Sequence, residues 1–203
     1  METIMKNTRL FTLALLTGAV SLCGCAAQPS TVTSSGWQSL VAGTTGMNNF
    51  ISVGMANWVA RDGAIQAEIK EKEAGYLVSK STYGDFMIKA EFWVSDNANS
   101  GIFIRCADPE KITVDLCYEV NIYDGSSKYG TGSIVNVAKA TPMPKASGKW
   151  STLEITAQGA HLKIVFDGKT TVEADDSKLT SGSIALQAGT GVVKFRKVQI
   201  KSM

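Results

Sequence analysis

The chain has 203 residues, a formal net charge of +2 and 19% charged residues. That length holds one domain with a full core, and so weak a charge does not support nucleic acid or an anionic membrane surface as partner. Glycine is frequent (19) and proline sparse (4), which suits short strands joined by tight turns.

The first segment reads as a targeting signal. Lys6 and Arg9 precede an apolar run, 10–20, whose length of about 11 residues is that of a signal h-region and too short to span a bilayer. "LCGC" (22–25) follows and resembles a bacterial lipobox. Cys25 fits the lipidated position better than Cys23, because Leu22 is too bulky to precede the cut. The alternative is an ordinary secretory signal cleaved near residues 26–27. The expected organisation is a signal peptide at 1–24, lipidated Cys25 and a polar tether at 25–35, and one domain at 36–203. Acyl chains rather than a spanning helix then hold the protein at the membrane. Ala26 supplies no inner-membrane retention aspartate, so outer membrane or periplasm is expected in a Gram-negative cell. Export permits a disulfide between the remaining cysteines, Cys106 and Cys117. Two thiols and one histidine make no metal ligand set. No cofactor is evident, and ligand spacing does not support a divalent metal.

From Trp37 onward the chain reads as strands and turns. "WVARDGAIQAE" carries Asp62-Gly63 between two extended runs, a hairpin signal. "GYLVSK" is a further strand. In "DFMIKAEFWV" (85–94), Phe86, Ile88, Ala90, Phe92 and Val94 share one face, and Met87, Lys89, Glu91 and Trp93 the other. "NSGIFIRC" (99–106) alternates until Arg105 lands on the face of Phe103. "CYEVNIY" (117–123) places Tyr118, Val120 and Ile122 inside and Glu119, Asn121 and Tyr123 outside. Turns at Gln158-Gly159 and Asp167-Gly168 divide the next strands, and "GSIALQAG" and "VVKFRKVQI" close the chain. No run has sustained helical periodicity. About eleven strands in one domain predict an all-β sandwich or jelly roll of antiparallel sheets.

Short connections between strands 86–94, 101–106 and 117–123 predict pairing in sequence order. That register forms the rows Glu91–Arg105–Glu119 and Trp93–Phe103–Asn121. Aromatics beside fixed polar groups suit a sugar, whereas the same row on a solvated face is an ion-pair ladder. Cys106 and Cys117 fall on opposite faces, so their disulfide requires a bulge.

Several stretches together resemble the 3-keto-disaccharide hydrolase domain family: "YGDF", "NSGIFIR", "YEVNI" and the terminal "SGSIALQ…FR", within matching text spread over nearly the whole domain. The resemblance implies a concanavalin-like jelly roll and an enzyme that cleaves glycosides oxidised at C3. It marks Asn99, Arg105 and Glu119 as the polar motif and Lys80 as the lysine of "LVSK". A C3 ketone acidifies the C2 hydrogen, so a carboxylate can remove it while donors hold the enolate. The expected roles are Glu119 as base, Arg105 or Lys80 on the enolate, Glu91 holding Arg105, and Trp93 or Phe103 as stacking surface. Asn99, Asn121 and Tyr123 complete the substrate-binding set. Direct hydrolysis by a carboxylate pair gives the same products. The sequence departs from the family pattern at Asn121, at Asn49-Phe50, and after Gln187, where a frequent histidine is missing. A non-catalytic, lipid-anchored carbohydrate-binding module is the competing function. His161 and the pair Asp175-Asp176 read as structural.

Overall fold

A computed structural model describes residues 36–69 and 73–203, so Cys25, the tether and the signal segment lie outside the described residues. The described residues form twelve strands: β1 (Gln38–Ala42), β2 (Phe50–Gly54), β3 (Val59–Arg61), β4 (Ala64–Ile69), β5 (Gly75–Tyr83), β6 (Phe86–Val94), β7 (Asn99–Cys106), β8 (Tyr118–Tyr123), β9 (Trp150–Gln158), β10 (His161–Phe166), β11 (Lys169–Asp175) and β12 (Gly182–Ser202). All the ladders are antiparallel, as the alternating pattern predicts. The expected hairpins form at Asp62-Gly63 and Asp167-Gly168, where all four residues take positive φ, the backbone a two-residue turn needs.

The two closing runs are one strand, β12, 21 residues long. Its first half lies between β5 and β7 in a sheet ordered β2-β5-β12-β7-β8. Its second half lies beside β6, β4 and β1 in the other sheet, ordered β11-β10-β9-β6-β12-β4-β3. The switch occurs at Gly189–Gly191, with Gly191 at φ 70. Residues 95–98 cross between the sheets alongside it. Ser95 N–H donates to Val192 O and Val192 N–H to Ser95 Oγ, both at 2.9 Å. A Cβ on Gly191 would stand 2.7 Å from Ser95 Oγ, so the two crossing segments pack as closely as glycine allows.

This crossing overturns the predicted strand order. β6 pairs with β9 and β12, and β7 with β12 and β8, so β6 and β7 belong to different sheets. The 95–98 link is a crossover and not a hairpin. Side-chain parity survives: Phe86, Ile88, Ala90, Phe92 and Val94 are buried against Ile102, Ile104, Val120 and Ile122 of the facing sheet. Each fully buried side chain of this kind contributes roughly 1.5–3 kcal/mol.

Candidate functional site

The outer face of the five-stranded sheet carries two rows in register. One is Ile51–Val78–Ala185–Phe103–Glu119, the other Val53–Tyr76–Gln187–Gly101–Asn121. The Glu119 backbone faces Phe103, but its carboxyl leans over Gly101. A Cβ built on Gly101 would stand 3.3 Å from Glu119 Oε1 and 3.4 Å from Gln187 Oε1. The missing side chain therefore lets a carboxyl and an amide converge. Gln187 Nε2 lies 3.5 Å from Tyr76 Oη. Asn121 Nδ2 donates to Tyr129 O. Asn121 Oδ1 and Gln187 Oε1 are buried with no partner among the described residues.

Burial decides the electrostatics. Glu119 is 9% exposed, and desolvation raises its pKa from 4.5 to about 7. Burial also raises the Tyr76 phenol; a hydrogen bond from Gln187 opposes this, and the Glu119 charge adds to it. The cluster thus offers a carboxyl that changes charge near neutrality beside a neutral phenol and amide. Perturbed acids of this kind concentrate at functional sites. Gly101→Ala tests the geometry: its methyl displaces the Glu119 and Gln187 heads, and we expect sugar binding to fall at least about fivefold with a stability loss near 1 kcal/mol, read by calorimetry and denaturant unfolding.

A bulge at the end of β7 shapes one side of the site. Ser183 pairs with Cys106 and Ala185 with Phe103, which leaves one extra residue in β7, and Arg105 takes φ 52. The bulge supplies the face change that the expected register lacked, and Cys106 and Cys117 form a disulfide. It closes the 107–116 loop, whose Ile112 packs with Phe103, Val78 and Ala185.

The same bulge removes Arg105 from the site. Arg105 is 0% exposed. Its guanidinium donates to Gly84 O (3.0 Å), Gly159 O (2.7 Å), Leu179 O (3.0 Å) and Asp85 Oδ1 (3.0 Å). It ties three connections at one end of the sandwich and cannot stabilise an enolate. The row Glu91–Arg105–Glu119 does not form, and residue 119 faces Phe103. Glu91 and Trp93 lie on the outer surface of the other sheet. Glu91 pairs with Arg196 (2.8 Å) and Lys197 (3.6 Å), and Lys194 lies 4.9 Å over the Trp93 ring. Neither holds Arg105 nor faces the cluster. Phe103, 2% exposed under the loop, is no stacking surface. Glu91→Gln is therefore expected to leave any sugar affinity within twofold and to change stability by less than about 1 kcal/mol, measured on the same instruments.

Other expected residues keep their face. Asn99 pairs with Tyr123, two positions beyond the Gly101–Asn121 pair, and both are half-buried. Lys80 is exposed at the opposite end, in a groove of about 480 Å3 with Ile51, Cys106 and Ser183. Asp124 accepts from Thr131 Oγ1 (2.6 Å) and from the backbone of Ala146 and Ser147, anchoring the segment after β8. Burial raises the Asp124 pKa, but these bonds together hold it below the usual value. His161 sits on the outer surface of the larger sheet beside Glu173 and Asp175, and Asp176 accepts from Tyr118 Oη and Lys178 N–H. Among the described residues, no three His, Cys, Asp or Glu converge as a metal site.

The residues missed from sequence are Tyr76, Gln187 and Gly101. The first two have outward parity in "GYLVSK" and "SIALQAG". Only the order β5-β12-β7-β8 places them beside Glu119.

Comparison with known proteins gives the chain its family. The profile of the 3-keto-alpha-glucoside-1,2-lyase-like domain matches residues 31–201. The jelly-roll fold is shared with carbohydrate-active and carbohydrate-binding proteins. A candidate glycosyl hydrolase from Parabacteroides distasonis superposes with a TM-score of 0.68 at 22% identity, over 82% of this chain and 99% of the other. The carbohydrate-binding module CBM66 from Bacillus subtilis gives 0.60 at 18% identity, over 82% and 96%. The VIP36 lumenal domain, in its Ca2+- and mannose-bound form, gives 0.59 at 11%, over 81% and 89%. Comparison with curated protein sequences gives no match. The chain belongs to the 3-keto-alpha-glucoside-1,2-lyase-like family, and its function is related to carbohydrate.

Proposed function

We propose that the protein is an exported, lipid-anchored enzyme that cleaves 3-keto-glycosides with Glu119 as the base. The observation that carries this reading is the Glu119 carboxyl: buried, bonded by no described residue, and placed over Gly101 beside the orphaned oxygens of Gln187 and Asn121. A C3 ketone makes the C2 hydrogen acidic. Ionised Glu119 takes that proton, the C1–C2 double bond forms, and the C1–O bond breaks. The aglycone oxygen leaves with the bonding pair and gains a proton from the medium. Water then adds across the double bond, its hydroxyl to C1 and its hydrogen to C2. With Arg105 engaged elsewhere, Gln187 Nε2–H and Tyr76 Oη–H are the neutral donors beside the base. They are suited to hold an enolate beside a buried base. The anchor at Cys25 belongs to the same reading, and intact mass of the membrane-extracted protein tests it through the added acyl mass.

The CBM66 likeness supports a second reading, a binder on the same fold. Incubating the chain from Gln28 onward with a 3-keto-glucoside separates the two. The enzyme releases aglycone and Glu119→Gln does not. Binding without release by the wild-type chain means recognition only.

A further inference from the structure

We propose that the outer face of the larger sheet holds a second ligand site, a cavity at Gln66 that takes one neutral sugar unit. It does not depend on the reading of Glu119, which lies on the other sheet. Gln66 sits in β4 between Ile65 and Ala67, both in the core, so alternation turns it outward. An outward amide on a sheet face ordinarily meets water. This one is 3% exposed, and its Nε2 finds no acceptor among the described residues. The register gives the reason. Its neighbours across the ladders are Val59 of β3 and Lys194 of β12. Valine has no polar side-chain group, and an ammonium only donates. Lys194 also turns the other way, with its Nζ 4.9 Å over the Trp93 ring on β6.

Gln66 lines a cavity of about 250 Å3 with Asn57, Val59, Arg61, Glu68 and Val192. The buried N–H lacks an acceptor, so an occupant has to bring an oxygen. The rest of the lining narrows its class. An apolar occupant would leave Gln66 unpaired, which is costly for a buried donor. An anion would meet Glu68, and Arg61 already has Asp62 at 3.8 Å. A metal ion would find one carboxylate in the lining, and no three His, Cys, Asp or Glu converge among the described residues. A sugar ring suits every group. Its oxygens accept from Gln66, Asn57 and Arg61, its hydroxyls donate to Glu68, and its C–H face covers Val59 and Val192. The volume, just below the roughly 300–1,000 Å3 of drug-sized pockets, suits a single unit. Glu91, paired with Arg196 and Lys197, lines no part of this cavity, so Glu91→Gln leaves it intact.

The test titrates methyl α-glucoside, which has no C3 ketone to react, into the isotope-labelled chain from Gln28 onward, and follows amide signals by NMR. We expect saturable shifts at the Gln66 side-chain amide and at Asn57 and Val192. Gln66→Leu should raise the Kd read from the Asn57 and Val192 signals at least about tenfold. It should melt no lower than wild type, because leucine needs no partner in that place. Asn57→Ala, at an exposed position, should raise the same Kd at least about threefold. No shift at these residues, or an unchanged Kd in Gln66→Leu, overturns the inference. Shifts confined to Tyr76, Gly101, Glu119 and Gln187 overturn it too, while leaving the Glu119 site standing. Shifts at Gln66 in a protein that releases nothing from 3-keto-glucosides uphold this site and reject the enzyme.

Discussion

Replacing Arg105 with methionine is expected to destabilise the protein by about 3–5 kcal/mol. The guanidinium is fully buried, and its four acceptors belong to the 84–85 turn, the 159 turn and the 176–181 connection. Methionine fills much of the volume but leaves Gly84 O, Gly159 O and Leu179 O short of a donor. Each buried polar group left unsatisfied costs about 1–3 kcal/mol. Asp85 loses its partner too, though it keeps the Gly159 N–H at 2.9 Å. Arg105→Lys should recover only part of the loss, because an ammonium cannot reach all four acceptors from one point. Denaturant midpoints measure this. A role on an enolate gives a different pattern: turnover collapses while the midpoint stays within about 1 kcal/mol of wild type. That pattern would return Arg105 to the site.

Arg105 also marks where the sequence stops being legible. Its parity with Phe103 is correct for a regular strand, and only the extra residue of the bulge turns it inward. Nothing in "NSGIFIRC" announces that bulge, because arginine in left-handed backbone is held there by three distant connections. Glu91 and Trp93 fail for a related reason. Their outward parity in β6 is right, but parity does not say which sheet a strand joins. The crossover at 95–98 is set by β12 switching sheets at Gly189–Gly191, almost a hundred residues later. The outward parity of Glu119 and Asn121 was legible because alternation alone sets it and β8 does pair with β7. The jelly roll and its hairpins were legible for the same local reason: period-two alternation broken by Asp-Gly turns and by a turn beside Gln158, which falls one residue later than expected, at Gly159-Ala160.

Glu119 connects stability, pH and catalysis in one measurement. Its folded pKa, about 7, lies above its ordinary value of 4.5 because burial penalises the carboxylate. The folded protein therefore holds this proton more tightly than the unfolded chain. The resulting stabilisation is fully present below about pH 4.5 and is lost as the pH rises to about 7. A difference of about 2.5 units corresponds to roughly 3 kcal/mol. Glu119→Gln keeps the shape without the charge. It should match wild type near pH 4 and exceed its stability by up to about 3 kcal/mol at pH 8, as read from denaturant curves across that range. Activity should run the other way. A general base works only when ionised, so kcat/KM for a 3-keto-glucoside should rise through a pKa near 7 and level off above it. In Glu119→Gln it should fall by about 100- to 10,000-fold. A profile that instead declines above pH 7 makes Glu119 a proton donor and favours direct hydrolysis. The variant that is more stable and inactive at pH 8 is the signature of a carboxylate kept buried for its chemistry, because a residue present only for packing has no reason to carry a charge there.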